Sequence, residues 1–506
     1  MTVGALIQLE YGNTDRMAFL TLNPQITHFK SVYKKYTNFS TQFITNQPIL
    51  NNGMLSWDQD TTITFQIPRD GDAIRDIYLT LELPDIYSNA NYQFQWIKRI
   101  GEYIVRRVAL QIDTNQAVDT QYGEWFHASS ELNLEAGQKA GYYRMIGNVP
   151  ELYDPSNAPG NNGIYPSYPA MGAPSILNRK IYLPLGFWFN KFSSMAFPLI
   201  AIQKTVMYIT FTFRKLQELY TVVDYGNTGK RIKPYLQTHY IGNFITPATG
   251  ASSLYINPRL EINNVFLDVE ERKRFALSTH EYLITQVQLI QQSYNYNTQV
   301  IVDMTNINKP VKELIWMIRR SDMEDINDWS NYTNWNQDPV PPYSPGYINP
   351  YGPPLVITPS NLVYYKNHNI LKGAVLRLLA NEITMGTYRN NDNPTGQQLN
   401  GKDSAFYNLM QNYNSNRNIP EEGIYTYSFS LDNSSLQPIG AVNFSSINNK
   451  DILLDMIPIN PAEIMNPLYG NSSGGSYTYN YNVWLFAVNY DILKIMGGIV
   501  GTMTSN

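Results

Sequence analysis

Met207-Tyr208-Ile209-Thr210-Phe211-Thr212-Phe213-Arg214 and Leu260-Glu261-Ile262-Asn263-Asn264 flank the middle of the chain, and their reading decides the fold. In the first, Met207, Ile209, Phe211 and Phe213 alternate with Tyr208, Thr210, Thr212 and Arg214. A period of two puts the apolar set on one face of a strand and the polar set on the other. In the second, Leu260 and Ile262 alternate with Glu261 and Asn263, and the phase slips by one at Asn263-Asn264, as a β-bulge would make it do. Between them, 225–230 and 246–253 carry the Gly, Asn, Thr, Ser and Pro of connecting segments. The stretch 204–267 therefore reads as the join between two all-β sandwiches.

Outward from this join the same grammar repeats. Ile63, Phe65 and Ile67 alternate with threonines and Gln66, and Ile77, Leu79, Leu81 and Leu83 run to a stop at Pro84. Residues 103–112 form a further strand, followed by a helical pattern in which Tyr122, Trp125, Phe126 and Leu132 share a face up to Gly137. Asn23-Pro24 has the form of a helix start, and Ile26, Phe29, Val32 and Tyr33 extend it to about Lys35. The Pro-, Gly- and Asn-rich run 147–178 reads as a long surface loop. In the second half, 260–267 reads as the opening strand, with further strands at 283–289, 299–304 and 311–318. Tyr425, Tyr427, Phe429 and Leu431 mark another strand, and Tyr477, Tyr479, Tyr481, Val483 and Leu485 a closing one. Two long excursions interrupt it, 321–372 with seven prolines from Pro339 to Pro354, and 386–423.

The expected fold class is all-β: two tandem eight-stranded jelly-roll sandwiches, a double jelly roll, with long inserted loops and few short helices. The expected organisation is an arm at 1–24, a first jelly roll at 25–216, a linker at 217–258 and a second jelly roll at 259–506.

With 506 residues the chain is long enough for two cores, since single cores stop growing at roughly 250–300 residues. Charged residues are only 15% against 13% aromatic, with 39 Tyr. Two readings share that balance: surfaces that become buried in an assembly, and a large β protein using Tyr as an amphipathic strand residue. A net charge of -4 and the lack of a basic run at either end argue against direct nucleic-acid binding. Cysteine is absent, which removes disulfides and thiolate metal sites. The most apolar stretch, 483–503, is broken by Asn489, Asp491 and Lys494, so no membrane span is expected. The first residues lack a signal-peptide pattern, and Thr2 stands where myristoylation needs glycine.

Motifs that carry chemistry are thin. His28, His127, His239, His280 and His368 are scattered, and His280-Glu281 lacks the second histidine of a zinc helix. The run 396–402 ends as a phosphate loop would, but Asp403 follows where a hydroxyl should hold Mg²⁺. No enzyme activity, catalytic residue, cofactor or metal is expected. Among the sequons, Asn331 in the long excursion is the one placed for glycosylation. A carbohydrate-binding or carbohydrate-active β-sandwich stays open as an alternative, with Trp329, Tyr332 and Trp335 as stacking platforms for sugars.

Eight stretches then carry a resemblance. They are NPQITHFKSVYKKYTNF (23–39), QYGEWFHASSELN (121–133), YLPLGFWFNKFSSMAFPLIAIQ (182–203) and DVEERKRFALSTHEYLITQVQ (268–288). The remaining four are PVKELIWMIRR (310–320), LNGKDSAFYNLMQNY (399–413), IYTYSFSLDNSSLQPIGAVNFSSIN (424–448) and NVWLFAVNYDILKIMGGIVG (482–501). In this order they resemble the major capsid proteins of the nucleocytoplasmic large DNA viruses. The resemblance implies two jelly rolls standing normal to a shell, a homotrimeric pseudo-hexagonal capsomer, and contacts with neighbouring capsomers. It also implies partnership with minor capsid and vertex proteins, and late expression. Assembly is expected in the host cytoplasm, over an internal membrane that the chain at most lies near.

Overall fold

The computed structural model describes the chain apart from residues 1, 13–16, 50–52, 89–91, 114–115, 169–171, 225–229, 246–249, 296–297, 335–368, 380, 384–386, 389–398, 401, 458–478 and 504–506. The first sandwich is built from two four-stranded antiparallel sheets. One runs Phe39–Asn46, Arg259–Leu267, Ala73–Leu83, Arg179–Pro184; the other runs Thr61–Gln66, Met207–Phe213, Val105–Ile112, Gln116–Tyr122. The alternation in Met207–Phe213 is realised: its odd-numbered residues are buried and its even-numbered ones half-buried. Ile63, Phe65, Ile77, Leu79, Ile209 and Phe211 meet in one core.

The second sandwich repeats the scheme. His280–Asn295, Asn480–Met496, Pro310–Arg320 and Ile424–Ser428 form one sheet. Gln299–Asp303, Lys450–Met456, Leu371–Leu378 and Asn381–Glu382 form the other. Val302, Leu376 and Leu454 of the second sheet share a core with Leu314, Trp316, Val483 and Leu485 of the first. Together the sheets make an all-β double jelly roll, as expected.

Several expectations are corrected. Strand Arg259–Leu267 does not open the second sandwich. It lies between Phe39–Asn46 and Ala73–Leu83, and its register slips at Asn263/Asn264 against the latter, where the phase change in the sequence put a bulge. The segment 217–258 is no linker. Tyr220–Asp224 pairs with Tyr92–Trp96, and Tyr220, Val222, Ile241 and Phe244 enter the first core. The helix expected from Asn23 does not form: 24–38 holds no helix or strand, and Asn23 has φ 54°, outside the helical region. Helices Val3–Gly12 and Ala18–Thr21 precede it instead.

Residues 147–178 are not a free surface loop where described. They contain the helical turn Pro150–Tyr153, and they bury Leu152 and Tyr165, whose hydroxyl donates to the Phe94 carbonyl at 2.7 Å. The excursion 386–423 sends Tyr407 into the second core, its hydroxyl donating to the Ala374 carbonyl at 2.7 Å. The 396–402 motif lies largely outside the described residues.

Candidate functional site at the seam and the N-terminal arm

Strands Pro310–Arg320 and Asn480–Met496 read as nearly unbroken apolar runs because both of their faces are buried. Leu314, Trp316 and Ile318 point into the second core, while Ile315 and Met317 point the other way. Val483, Leu485 and Ala487 likewise face the core, and Trp484, Phe486 and Val488 face outward. What covers the outward set is helix Gly123–Asn133 of the first half. Trp125, Ala128 and Leu132 pack on them, and Phe126 reaches back into the first core. One helix thus wedges the two sandwiches together.

Several charges buried in this seam are paired. Arg214 donates to Glu124 at 2.6 Å, and Arg319 stands 3.7 Å from the same Oε1 and 3.0 Å from Glu324. The Trp329 ring lies between two guanidiniums, 4.3 Å from Arg214 and 4.9 Å from Arg319, and Arg319 also stacks 4.2 Å from Trp484. Burial alone would pull the Arg319 guanidinium down, but Glu324, Tyr332 and Glu124 push it up. Burial raises Glu124, and the charges of Arg214 and Arg319 outweigh it, leaving the carboxyl below its ordinary range. Backbone contacts lock the same place: Asn327 Nδ2 donates to the carbonyls of Gln217 and Tyr220 at 2.8 Å, and Trp329 Nε1 to Glu218 at 2.9 Å.

A second polar cluster joins helix Gly123–Asn133 to Glu421 of the second half. Arg99 binds Glu102 at 3.2 Å and Glu131 more closely, and Lys139 holds the other Glu131 oxygen at 2.7 Å. His127 Nδ1 is 2.7 Å from the Tyr103 hydroxyl, which is 2.8 Å from that of Tyr332. Among the described residues, His127, Glu131 and Glu421 are the one group with its ligand atoms close enough to hold a metal. Arg99 and Lys139 already neutralise the Glu131 carboxylate. Burial raises the Glu124 and Glu131 carboxyls, but the guanidiniums beside them outweigh it and hold both below the ordinary carboxylate range, so neither is poised as a general base.

The N-terminal stretch is the opposite kind of surface. Leu6, Leu9, Phe19, Leu22, Ile26, Phe29, Val32, Tyr33 and Tyr36 are all exposed, Phe29 to 99%. Strand Phe39–Asn46, which follows, keeps Phe39 and Phe43 exposed too. No other described part of the chain leaves so much contiguous apolar side chain uncovered.

Two family models match the chain in succession: "Major capsid protein N-terminus" over residues 27–268 and "Large eukaryotic DNA virus major capsid protein" over 271–501. The chain belongs to the large eukaryotic DNA virus major capsid protein family. The boundary between the matches falls where strand Arg259–Leu267 ends and helix Val269–Leu277 begins. This capsid protein is 29% identical to the major capsid protein of Phaeocystis pouchetii virus, covering 99% of this chain and 100% of the relative. It is 28% identical to that of Paramecium bursaria Chlorella virus 1, again over 99% and 100%. In structure it is similar to a chain of the PBCV-1 virus capsid, with TM-score 0.64, 23% identity and coverage of 95% and 100%. It is also similar to the Faustovirus major capsid protein, with TM-score 0.61, 14% identity and coverage of 97% and 96%.

The residues singled out as surface features of this capsid protein sit elsewhere than expected. Asn331 is buried; its Nδ2 donates to Asp328 at 3.0 Å, and its Oδ1 accepts from the Thr333 backbone at 3.0 Å and hydroxyl at 2.7 Å. An amide so committed is closed to a glycosyl donor in the folded chain. Trp329 and Tyr332 are buried in the seam and cannot stack sugars, while Trp335 lies outside the described residues. So 321–334 belongs to the interior, and 335–368 lies outside the described residues. The sequence puts Arg214 on the polar face of its strand and gives Arg319 and Arg320 no role, yet all three are buried, Arg214 and Arg319 in the seam and Arg320 against Tyr479 of the second core. The two consecutive arginines ending an apolar strand were the available signal, since charges there are buried only when paired.

Proposed function

We propose that this major capsid protein trimerises into pseudo-hexagonal capsomers that tile the icosahedral shell of a large double-stranded DNA virus, as a structural protein without enzymatic activity. Neighbouring capsomers, minor capsid proteins and a distinct vertex protein would be its partners, and the host cytoplasm its site of assembly. A virion component of this kind would need no nucleic-acid contact of its own, consistent with the net charge of -4. The observation that carries the reading is the exposed apolar surface of residues 3–43, since free soluble proteins rarely keep such patches open. We assign the arm, 2–38, to the inner end of the capsomer, docked on minor capsid proteins or a neighbouring capsomer. The first sandwich would take 39–267, helix Val269–Leu277 would connect, and the second sandwich would take 280–502.

Subunit interfaces in such a trimer should bury more than about 2,000 Å² in total. Sedimentation of the purified protein tests this: a trimer stable at low micromolar concentration is expected. A folded monomer under those conditions would remove the capsomer from the proposal, leaving only the family.

A further inference from the structure

A cavity of about 410 Å³ opens beside the seam helix, with walls from both halves. Residues 126–134 and 184–195 of the first half line one side, and 283–285, 312–313, 417, 433–436 and 488–490 of the second line the other. Its charged lining is unbalanced: Lys191, Lys312 and Arg417 face a single carboxylate, Glu313. Arg417 bonds that carboxylate, and Lys312 donates to the Asn433 carbonyl at 2.9 Å with the Tyr490 ring 5.9 Å away. The Lys191 side chain, at the exposed edge, has no hydrogen bond or ion pair among the described residues.

The polar groups around the cavity are also unusually short of partners. Arg417 Nε, Glu313 Oε2, Asn433 Oδ1 and Tyr490 Oη are buried and have no hydrogen bond, and all four residues line this one space. Buried polar atoms are normally satisfied, so such a concentration marks a place where something else completes the network. Burial, then the like charges of Arg417 and Lys312, pull the Lys191 ammonium down to about 8. An anion in the cavity would relieve the repulsion among these three cations.

We propose that this cavity binds a small carboxylate- or phosphate-bearing molecule, its anionic group held by Lys191, Lys312 and Arg417 and its body lying against Phe126, Leu134 and Leu436. The lining chemistry sets that class. Three cations demand negative charge, the unpaired Asn433 and Glu313 oxygens favour hydrogen-bond donors on the same ligand, and the apolar wall accepts a carbon skeleton. Because the walls come from both halves, an occupant would tie the sandwiches together and stabilise the folded chain by mass action.

Isothermal titration calorimetry of the full-length protein at low ionic strength tests this, with citrate and inorganic phosphate as separate probes. Saturable binding of one probe molecule per chain is expected for at least one of them, and which one binds distinguishes carboxylate from phosphate. Lys191→Met should weaken it by about fivefold, the size of one partly screened charge pair. Lys191→Arg, which keeps the charge, should retain it. Lys191 is exposed, so both variants should fold as the parent does, and circular dichroism checks that they do. Absence of saturable heat with both probes, or equal affinity in Lys191→Met and the parent, would overturn the proposal.

Discussion

Two aromatic stretches of this chain, 321–334 and 26–43, end in opposite environments. Trp329 and Tyr332 are packed between the sandwiches, one ring between two guanidiniums and one hydroxyl on Tyr103. Phe29, Val32, Tyr33, Tyr36 and Phe43 are open to solvent. The presence of large aromatic side chains does not separate the two. What differs is the partner: for 321–334 it is supplied by Arg214, Gln217, Glu218 and Tyr220 of the same chain, more than a hundred residues away. For 26–43 the chain supplies almost nothing beyond the pairing of Phe39–Asn46 with Arg259–Leu267. An aromatic-rich segment is thus a demand for burial, and its position in the fold decides whether the demand is met internally or by another molecule.

The largest effect that would sharpen this contrast is Trp329→Ala. Removing a buried indole and its two cation–π contacts should cost about 3–5 kcal/mol. Urea unfolding of the purified protein, followed at fixed protein concentration, measures it. A cost near zero would mean that the segment behaves as the external loop its prolines and sequon suggested, and the contrast with the arm would collapse.

A second test uses pH at the seam. Asp119 is buried, accepting from Gln121 Nε2 at 3.0 Å and from the Val287 backbone of the other half at 3.3 Å. Burial pushes its carboxyl up from 3.8 to about 6, more than these bonds lower it. A raised acid favours the protonated fold, so its contribution is fully present below pH 3.8 and is lost as pH rises through 6. Relative to Asp119→Asn, the parent should therefore lose about 1–3 kcal/mol between pH 4 and pH 7, since a tenfold change in proton affinity is worth about 1.4 kcal/mol. Parallel stability curves for the two proteins across that window would show that Asp119 is solvated, and so that the halves are not closed there.

How much of this was legible follows from where each burying partner sits. Strands Thr61–Gln66, Ala73–Leu83 and Met207–Phe213 were readable because period-two alternation is local, and the bulge at Asn263/Asn264 showed as a phase slip. The membership of Arg259–Leu267 in the first sandwich was not, because a strand's pairing partners lie elsewhere in the chain. The helix drawn at Asn23 rested on caps and spacing, but Phe29 and Val32 find no surface there to bury against, and propensity alone does not hold so short a helix. The opposite error occurred at Ala136–Ile146, where Gly137 read as an end and Gly141 in fact follows inside a helix. Both glycines face open space, and Gln138 Oε1 accepts from the Glu135 backbone at 3.4 Å, a reciprocal cap that was visible as Glu135-x-x-Gln138. Of the candidate site residues, Asn331 was legible as a sequon and illegible as a buried one, for the same non-local reason as Trp329.

Asn331 gives a third, smaller test. Asn331→Ala removes the bonds donated to Asp328 and to the Met323 sulfur and the two accepted from Thr333, at a buried position, and should cost about 1–2 kcal/mol. Protein recovered folded from a glycosylating host should carry no glycan at Asn331 by peptide mass spectrometry. Full occupancy of that sequon in folded protein would return 321–334 to the surface.

The smallest expected effect on stability lies in the arm, and it is the most informative about assembly. Phe29 is 99% exposed, so Phe29→Ser removes no burial within the chain. An exposed substitution of this kind should shift the unfolding free energy of the purified protein by no more than about 0.5 kcal/mol. If the arm docks on a neighbouring capsomer or a minor capsid protein, however, Phe29 is the sort of aromatic anchor whose loss at a buried interface costs about 2 kcal/mol or more. The two measurements therefore split. Urea midpoints of Phe29→Ser and parent should coincide, while formation of hexagonal arrays or closed particles, scored by negative-stain microscopy, should fail or need a higher protein concentration. A clear loss of stability in the purified protein would show that 26–43 is already buried within the oligomer or against its own chain. Normal arrays from Phe29→Ser would make the arm a surface that assembly does not use, and the apolar stretch would then need another partner.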